Sequence, residues 1–201
     1  MTSVPTYTLL FSSLVISLFL FTNPASSADP QTQELIDKIC RQMEDYGFCN
    51  QTFSANLKSP LTDLVGLTQI TIEITIQNAS NDFVYAKSIL DRATDPHMIK
   101  VLTECVKDYQ AIRGSFIKAM RSFMLRDYKG MLNYELPNSK SVALCQEGFS
   151  SAKPGPNPYI VLIERNRQLR ILIAMSVVTG HYLVSCSHCF WCFSLSYAYD
   201  M

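Results

Sequence analysis

The stretch Ile70-Thr71-Ile72-Glu73-Ile74-Thr75-Ile76-Gln77 decides the fold class of this 201-residue chain. Its alternation of apolar and polar residues, rich in β-branched side chains, is locally typical of a half-buried strand. A wider window favours a helix, because apolar residues keep a seven-residue recurrence over 26 residues, whereas the alternation covers only eight. The recurring residues are Val65, Ile72, Ile76, Ala79, Phe83, Ala86 and Leu90. No Gly or Pro interrupts 67–94 and no second strand pattern could pair with this one, so we predict a helix.

Three dipeptides predict helix starts: Asp29-Pro30, Asp95-Pro96 and Asn157-Pro158. An Asp or Asn side chain can accept hydrogen bonds from the free N–H groups of the first turn, and Pro fits the first helical position, where its missing N–H needs no partner. The clearest apolar stripe follows the second dipeptide, in steps of three and four residues. Its members, expected to face the core, are Leu102, Cys105, Tyr109, Ile112, Phe116, Ala119 and Phe123.

Shorter patterns flank these helices. We predict two short helices at the front: one from Gln31 to Met43, which Gly47 can end, and one from Phe48 to Leu57, limited by Pro60.

Behind the central stripe, residues 127–130 interrupt the helical pattern and Pro137 breaks or kinks the segment after it. Residues 152–156 form a loop by composition. A last long helix is predicted from Pro158 to about Val184. Inward-facing residues in this half are expected to be Val142, Cys145 and Phe149, and then Leu162, Leu169 and Ile173.

Seven cysteines occur, and in an oxidising compartment paired disulfides are the first expectation. Four cysteines alone allow three connectivities. Proximity in sequence suggests Cys40 with Cys49, clamping the front hairpin, and Cys105 with Cys145; free buried thiols are the alternative.

The tail cysteines Cys186, Cys189 and Cys192 lie within seven residues, whereas a structural zinc site usually draws ligand pairs from separate segments. We expect that cluster to be unpaired or mispaired, and we predict no metal site.

The predicted fold is therefore all-α: an up-and-down antiparallel four-helix bundle preceded by a short disulfide-clamped helical hairpin. We assign 29–60 to the hairpin and 61–184 to the bundle, which together make one domain.

The N-terminus indicates the compartment. Leu9 to Phe21 is a thirteen-residue apolar run, too short to span a bilayer unaided, and Ala25-Ser26-Ser27-Ala28 fits a signal-peptidase site. We predict a signal peptide at 1–28, with an uncleaved anchor as the alternative, and hence a secreted, apoplastic protein or a vacuolar one. The sequons at Asn50 and Asn78 are candidate glycosylation sites compatible with that route.

Composition excludes several classes. The 17 basic and 17 acidic residues balance, so there is no overall basic field to bind nucleic acid. Charged residues at 17% and hydrophobic residues at 48% fit a packed domain rather than a disordered one.

The sequence contains none of the common catalytic or cofactor signatures. His97, His181 and His188 show no sequence relation to a nucleophile, and the adjacent carboxylates Glu44 and Asp45 would point in different directions on a helix. We predict no catalytic residue and no cofactor. A secreted hydrolase and a helical-bundle carrier of small apolar ligands are the other classes, and the carrier needs a lined cavity.

Over residues 29–184 this layout resembles the plant invertase and pectin methylesterase inhibitor family. The matching features are the signal peptide, the pair Cys40…Cys49, the pair Cys105…Cys145 across the middle bundle helices, and the stretches Arg126-Asp127-Tyr128 and Cys145–Phe149. The chain is also similar to pollen-allergen members described as invertase inhibitors. The resemblance implies a non-catalytic cell-wall inhibitor that forms a one-to-one complex with pectin methylesterase or acid invertase and blocks the substrate cleft.

The same resemblance bears on the target. Invertase inhibitors of the family can carry a Pro-Lys-Phe motif between the second and third bundle helices, inserted into the enzyme. Here Tyr128, Lys129 and Gly130 stand at those positions, so only the lysine matches. We therefore favour pectin methylesterase, which the bundle face would bind, with invertase as the alternative. Tyr128 and Lys129 are the candidate partner contacts.

The tail, 185–201, departs from the family. No Asp, Glu, Lys or Arg occurs from Ile171 to Tyr199, a length that could span a bilayer or serve a lipid-anchor signal. The Gly, His, Cys and Ser residues after position 175 make this uncharged segment a poor hydrocarbon-embedded helix, so we do not expect membrane attachment.

Overall fold

A computed structural model describes residues 28–149 and 159–188, and nearly all of them are helical. The helices are α1 (Pro30–Cys40), α2 (Tyr46–Asn56), α3 (Leu64–Leu90), α4 (Pro96–Met124), α5 (Tyr128–Glu135), α6 (Asn138–Gly148) and α7 (Ile160–His188). No strand occurs in the described ranges, and the Ile70–Gln77 stretch lies inside α3. The predicted helix and the all-α class are confirmed.

Four antiparallel arms form the bundle. The first two arms are α3 and α4, the third is α5 continued by α6, and the fourth is α7. Each arm packs against the next in chain order, and α7 closes the ring against α3. The third arm is broken at Pro137, because proline lacks the N–H that a continuous helix would need there.

The bundle core confirms the stripe predicted for α4. All seven of its residues are buried, and Tyr109, Ile112 and Phe116 are fully inaccessible to solvent. The inward residues predicted for α6 and α7 are buried as well. These side chains form one contiguous main core with α3 and α5.

The pattern predicted for α3 is only partly right. Ile72, Ala79 and Ala86 are buried, but Val65 is 40% exposed. Four polar residues of α3 face inward instead: Thr68, Thr71, Thr75 and Asp82. The threonines can do so because each hydroxyl donates to a backbone carbonyl of the preceding turn, at 2.7–2.8 Å. Since α3 packs against both α4 and α7, its buried arc is wider than a single apolar stripe.

The N-terminal hairpin, α1 and α2, docks on the groove between α3 and α7 and has its own core. Ile36 and Phe53 pack against Leu67 and Ile70 of α3 and against residues 171–175 of α7. The Cys40–Cys49 disulfide joins α1 to α2 with a Cα–Cα distance of 5.5 Å.

Aspartate side chains cap five helices, and only two of the five were predicted. Asp29 and Asp95 accept hydrogen bonds from the first turns of α1 and α4, as the Asp-Pro dipeptides indicated. Asp45, Asp63 and Asp127 do the same for α2, α3 and α5. Each such cap contributes about 1 kcal/mol.

Several predicted boundaries were wrong. Gly47 does not end the first helix, which stops at Cys40; Gly47 lies in the first turn of α2 because Asp45 caps that helix. Gly130 likewise lies within α5 rather than in the break before it. The last helix continues to His188, four residues past Val184, because nothing after Gly180 interrupts it.

Four predictions fall outside the described residues: the signal peptide, the loop at 152–156, the cap at Asn157-Pro158, and most of the tail. Among the helices that the structure describes, none combines the length and the hydrophobicity that crossing a membrane requires.

Candidate functional site

The turn between α4 and α5 carries the two predicted partner contacts. Only residues 125–127 separate the helices, and the Asp127 carboxylate accepts a hydrogen bond from the Gly130 N–H at 2.9 Å. Lys129 is exposed, whereas Tyr128 is half-buried, with its ring 6.2 Å from that of Phe123. The two residues therefore share a turn, but only Lys129 projects freely into solvent.

The same turn has an unusual backbone at Arg126. Its φ of 60° lies in the left-handed region, which favours glycine. The Arg126 N–H donates to the Phe123 carbonyl and the Asp127 N–H to the Ser122 carbonyl, both at 2.9 Å. This is a Schellman motif, with arginine at the position usually occupied by glycine.

Large apolar side chains are exposed beside Arg126. Met124 is 75% exposed and Leu125 is 80% exposed, the largest values among the exposed hydrophobic residues. Exposed apolar residues that lie together at the tip of a bundle are typical of a surface that meets a partner.

Cations surround this tip. Lys118 and Arg121 on α4, Arg126 in the turn and Lys129 at the start of α5 are all exposed, and we call these four residues the basic end. The Lys118 ammonium lies 5.8 Å from the centre of the Tyr134 ring, which connects α4 to α5.

A buried carboxyl lies on the inner side of the same arm. Glu135 of α5 is fully buried, and one of its oxygens accepts a hydrogen bond from the Ser176 hydroxyl of α7 at 2.7 Å. The other oxygen, Oε2, has no hydrogen-bond partner among the described residues. Burial raises the pKa of Glu135 to about 7, and the Ser176 hydrogen bond only partly opposes this.

A second buried carboxyl belongs to α3. The side chain of Asp82 is 1% exposed and forms an ion pair with Arg165 of α7 at 3.0 Å. Burial raises the pKa of Asp82, and the Arg165 guanidinium opposes that rise. Arg165 also lies 4.7 Å from the centre of the Tyr85 ring. Both carboxyls are buried within the bundle, and each is bound by a side chain of α7.

The Cys105–Cys145 disulfide ties α4 to α6, with a Cα–Cα distance of 5.0 Å. The Tyr109 hydroxyl donates to Asn166 of α7, and the Asn166 amide lies 3.3 Å from the Cys145 sulfur. Three arms therefore meet at one buried covalent and polar junction.

Ion pairs fix the hairpin to α7. Arg167 binds Asp45 at 3.0 Å and Glu164 at 2.8 Å, and Arg170 binds Glu44 at 2.7 Å. The pKa of Asp45 is lowered, first by the hydrogen bond from the Phe48 N–H and then by Arg167. The adjacent acids Glu44 and Asp45 thus dock the hairpin, each with a different arginine.

The remaining predicted residues are dispersed. Asn50 lies on α2 and Asn78 on α3, both half-buried, and their amides donate to the Tyr46 hydroxyl and the Ile74 carbonyl. Glycosylation at either asparagine stays a prediction. His97 and His181 are exposed on different helices. Cys189 and Cys192 lie outside the described residues, as does the side chain of Cys186.

The sequence did not reveal the buried carboxyls or the left-handed arginine. A hint for Glu135 lay in its place two residues before Pro137, among apolar residues, but nothing marked its partner. The interior of the bundle holds large buried side chains such as Tyr109 and Phe116. Surface grooves occur near the hairpin: one of about 410 Å³ on the α2–α3 connection and one of about 630 Å³ along α1.

Comparison with known proteins identifies what these features resemble. The family model described as plant invertase/pectin methylesterase inhibitor matches residues 34–177. Pectinesterase inhibitor 2 of Arabidopsis thaliana is 27% identical over 148 residues, covering 74% of this chain and 85% of that protein. The cell wall/vacuolar inhibitor of fructosidase 2 of the same plant is 27% identical over 168 residues, covering 83% of this chain and 92% of that protein.

The fold is also found among solved structures. The crystal structure of a mutant form of a pectin methylesterase inhibitor from Arabidopsis superposes with a TM-score of 0.64 at 18% identity. The match covers 73% of this chain and 95% of that one. At this identity the likeness establishes a shared helical-bundle fold.

Proposed function

Since the chain belongs to the plant invertase/pectin methylesterase inhibitor family, we propose that it inhibits pectin methylesterase by forming a one-to-one complex that blocks the substrate cleft. The chain is an inhibitor of cell-wall enzymes and not itself an enzyme. What we propose beyond family membership is the target enzyme, the one-to-one stoichiometry and the surface that makes the contact.

The compact α4–α5 turn is the observation that carries the choice of target. Three residues connect the helices, and Asp127 caps α5 so that Lys129 sits in its first helical turn. A turn this short does not extend as a loop that could enter a deep cleft. Binding through the outer faces of the bundle helices, as expected for pectin methylesterase, is the mode that this geometry supports.

Acid invertase is the second candidate, and Lys129 is the observation that favours it. Lys129 is exposed and unpaired within the described residues, and it stands where the family resemblance places the lysine of the invertase-binding motif. Glycoside hydrolases act through a pair of carboxyl groups, which would attract a cation. In this mode Lys129 and Tyr128 would make the contact, with Tyr128 held back against Phe123.

A rigid scaffold suits either target. Two disulfides, the packed main core and the ion-paired hairpin restrict the bundle before any partner binds. Preorganisation of this kind reduces the entropic cost of association. The disulfides also agree with the proposed secretory route, in which residues 1–28 are removed and the protein reaches the apoplast or the vacuole.

Titration of the purified protein against pectin methylesterase and acid invertase tests the proposal. We expect stoichiometric inhibition of the first enzyme, a complex of one copy of each chain by light scattering, and little inhibition of the second. Lys129→Glu should leave inhibition of pectin methylesterase within about twofold of the wild type. Lys140→Glu is the matched control, because it reverses the charge of another exposed lysine, on α6.

Two other outcomes would reject this target. Inhibition of invertase alone, abolished by Lys129→Glu but not by Lys140→Glu, would establish the second candidate. Inhibition of neither enzyme, together with saturable binding of a small apolar ligand, would favour the carrier.

A further inference from the structure

The charges of this chain are unevenly distributed, although they balance overall. Between Asp108 and Glu135 the sequence contains five basic residues and a single acidic one, Asp127. The rest of the chain contains 12 basic and 16 acidic residues. The stretch from the middle of α4 to the end of α5 is therefore cationic, in a chain whose remainder carries a net negative charge.

The four cations of the basic end take no part in the ion pairs of the fold, although Lys118 lies over the Tyr134 ring. None of them forms an ion pair with another residue in 28–149 or 159–188. Asp127, the acid closest to them in sequence, directs its carboxylate at the Gly130 N–H. Elsewhere the fold does pair its charges, as Lys107 with Glu104 on the same helix shows.

The four cations lie close together along the chain, on the second half of α4, in the turn after it and in the first turn of α5. Lys118 and Arg121 are three residues apart and so share the outer face of α4, the face opposite the buried stripe. The Schellman motif ends α4 at Arg126, five residues after Arg121, and Lys129 lies in the first turn of the next helix. The exposed Met124 and Leu125 lie between the cations and add apolar surface.

We propose that the basic end binds a linear polyuronate, the carboxylate-bearing chain that remains when the methyl esters of pectin are hydrolysed. Several unpaired cations beside apolar side chains complement a polymer that presents repeated carboxylates on sugar rings with apolar faces. The choice of polyuronate rests on the proposed function, since ester hydrolysis by the target enzyme creates these carboxylates. The site would concentrate the inhibitor where the enzyme has already acted.

Binding to polygalacturonate in the absence of any enzyme tests this inference. We expect the wild-type protein to be retarded in a gel containing polygalacturonate, to migrate freely with fully methyl-esterified pectin, and to lose retardation as salt is raised, because the contacts are electrostatic. Lys118→Gln with Arg121→Gln should weaken binding by roughly tenfold, as expected for the loss of two exposed charge contacts.

The matched control is Lys87→Gln with Lys100→Gln. It makes the same change of net charge at the other end of the bundle, since Lys100 lies about 27 Å from Lys118 along α4. The control pair should alter binding by less than twofold. Equal weakening by both pairs would attribute binding to net charge alone and overturn the proposal, as would equal retardation by esterified pectin.

Inhibition assays on the same variants separate this inference from the proposed function. The Lys118/Arg121 pair is assayed as an inhibitor of pectin methylesterase with a short, soluble methyl ester as the substrate, so that no polymer is present, because the two residues lie on an outer helix face. If that pair loses inhibition while its binding to polygalacturonate is unchanged, the basic end is an enzyme contact and the polyuronate site does not exist. If polygalacturonate binding behaves as expected but the wild type inhibits no enzyme, only the proposed function fails.

Discussion

Replacement of Glu135 by glutamine should make the stability of the bundle less sensitive to pH. Glutamine has the shape of the protonated glutamic acid and keeps an oxygen that can accept the Ser176 hydroxyl hydrogen bond. It removes only the ability to ionise. The variant therefore reports what ionisation of this one buried carboxyl does to the folded state.

The expected magnitude follows from the raised pKa. In the unfolded chain Glu135 should ionise near the ordinary pKa of 4.5, whereas in the fold its pKa is about 7. Below pH 4.5 both states are protonated and the group has no effect. Between pH 4.5 and 7 the unfolded state loses its proton first, so the free energy of unfolding falls as pH rises, and above pH 7 the loss is complete. At about 1.4 kcal/mol for each tenfold change in proton affinity, the wild type should lose about 3 kcal/mol.

Urea unfolding at pH 4.5, 5.5, 6.5, 7.5 and 8.5, followed by circular dichroism, measures this difference. We expect the difference in unfolding free energy between Glu135→Gln and the wild type to change by about 3 kcal/mol across the series, with the variant relatively more stable at high pH. The pKa of Asp82 is also raised, but Asp82 is present in both proteins, so its effect cancels in the difference between them. Glu147→Gln, at an exposed position on α6, should follow the wild-type curve. Parallel curves for wild type and Glu135→Gln would refute the argument that burial governs this carboxyl.

Three further predictions concern stability and are measured by the same unfolding assay. Replacing both cysteines of the Cys105–Cys145 disulfide by serine should lower the free energy of unfolding by about 4 kcal/mol, the loop-closure estimate for the 40-residue separation, and a loss under 1 kcal/mol would contradict it. Arg165→Met should cost about 2–4 kcal/mol near pH 7, because Asp82 is left buried without its ion-pair partner, and adding Asp82→Asn should recover part of that loss. Gly114→Ala should stabilise the protein by about 0.5–1 kcal/mol, since a Cβ at that position of α4 meets nothing within 4 Å. Gly180→Ala should destabilise it by about 1–3 kcal/mol, since its Cβ would lie 2.7 Å from two side chains of α5. A change of unfolding free energy with the same sign in both variants would contradict this prediction.

The sequence alone predicted an element correctly where a single periodic pattern of apolar residues determines which face of a helix is buried. The α4 stripe was predicted completely, because seven apolar residues at helical spacing leave only one face for the core. The helix break at Pro137 and the helix starts at the Asp-Pro dipeptides were also predicted, because they follow from local backbone geometry that does not depend on the rest of the fold.

Prediction failed where a residue's environment is set by another helix. Val65 fits the apolar recurrence of α3 but is 40% exposed, while Thr71 is buried because α7 covers that side of α3 and its hydroxyl can bond to its own helix. The burial of Asp82 depends on Arg165, 83 residues later in the chain, and spacing within α3 cannot reveal that pairing. The candidate contact Tyr128 is half-buried because of another helix too, since its ring lies near Phe123 at the end of α4.

The left-handed backbone at Arg126 has a consequence for protein engineering. A residue with a Cβ in that conformation costs roughly 1 kcal/mol relative to glycine, so Arg126→Gly is a simple stabilising substitution. A selection for heat resistance alone would therefore tend to replace this arginine and, with it, one quarter of the positive charge of the basic end. Thermostabilised versions of this inhibitor should be screened for retention on polygalacturonate as well as for melting temperature.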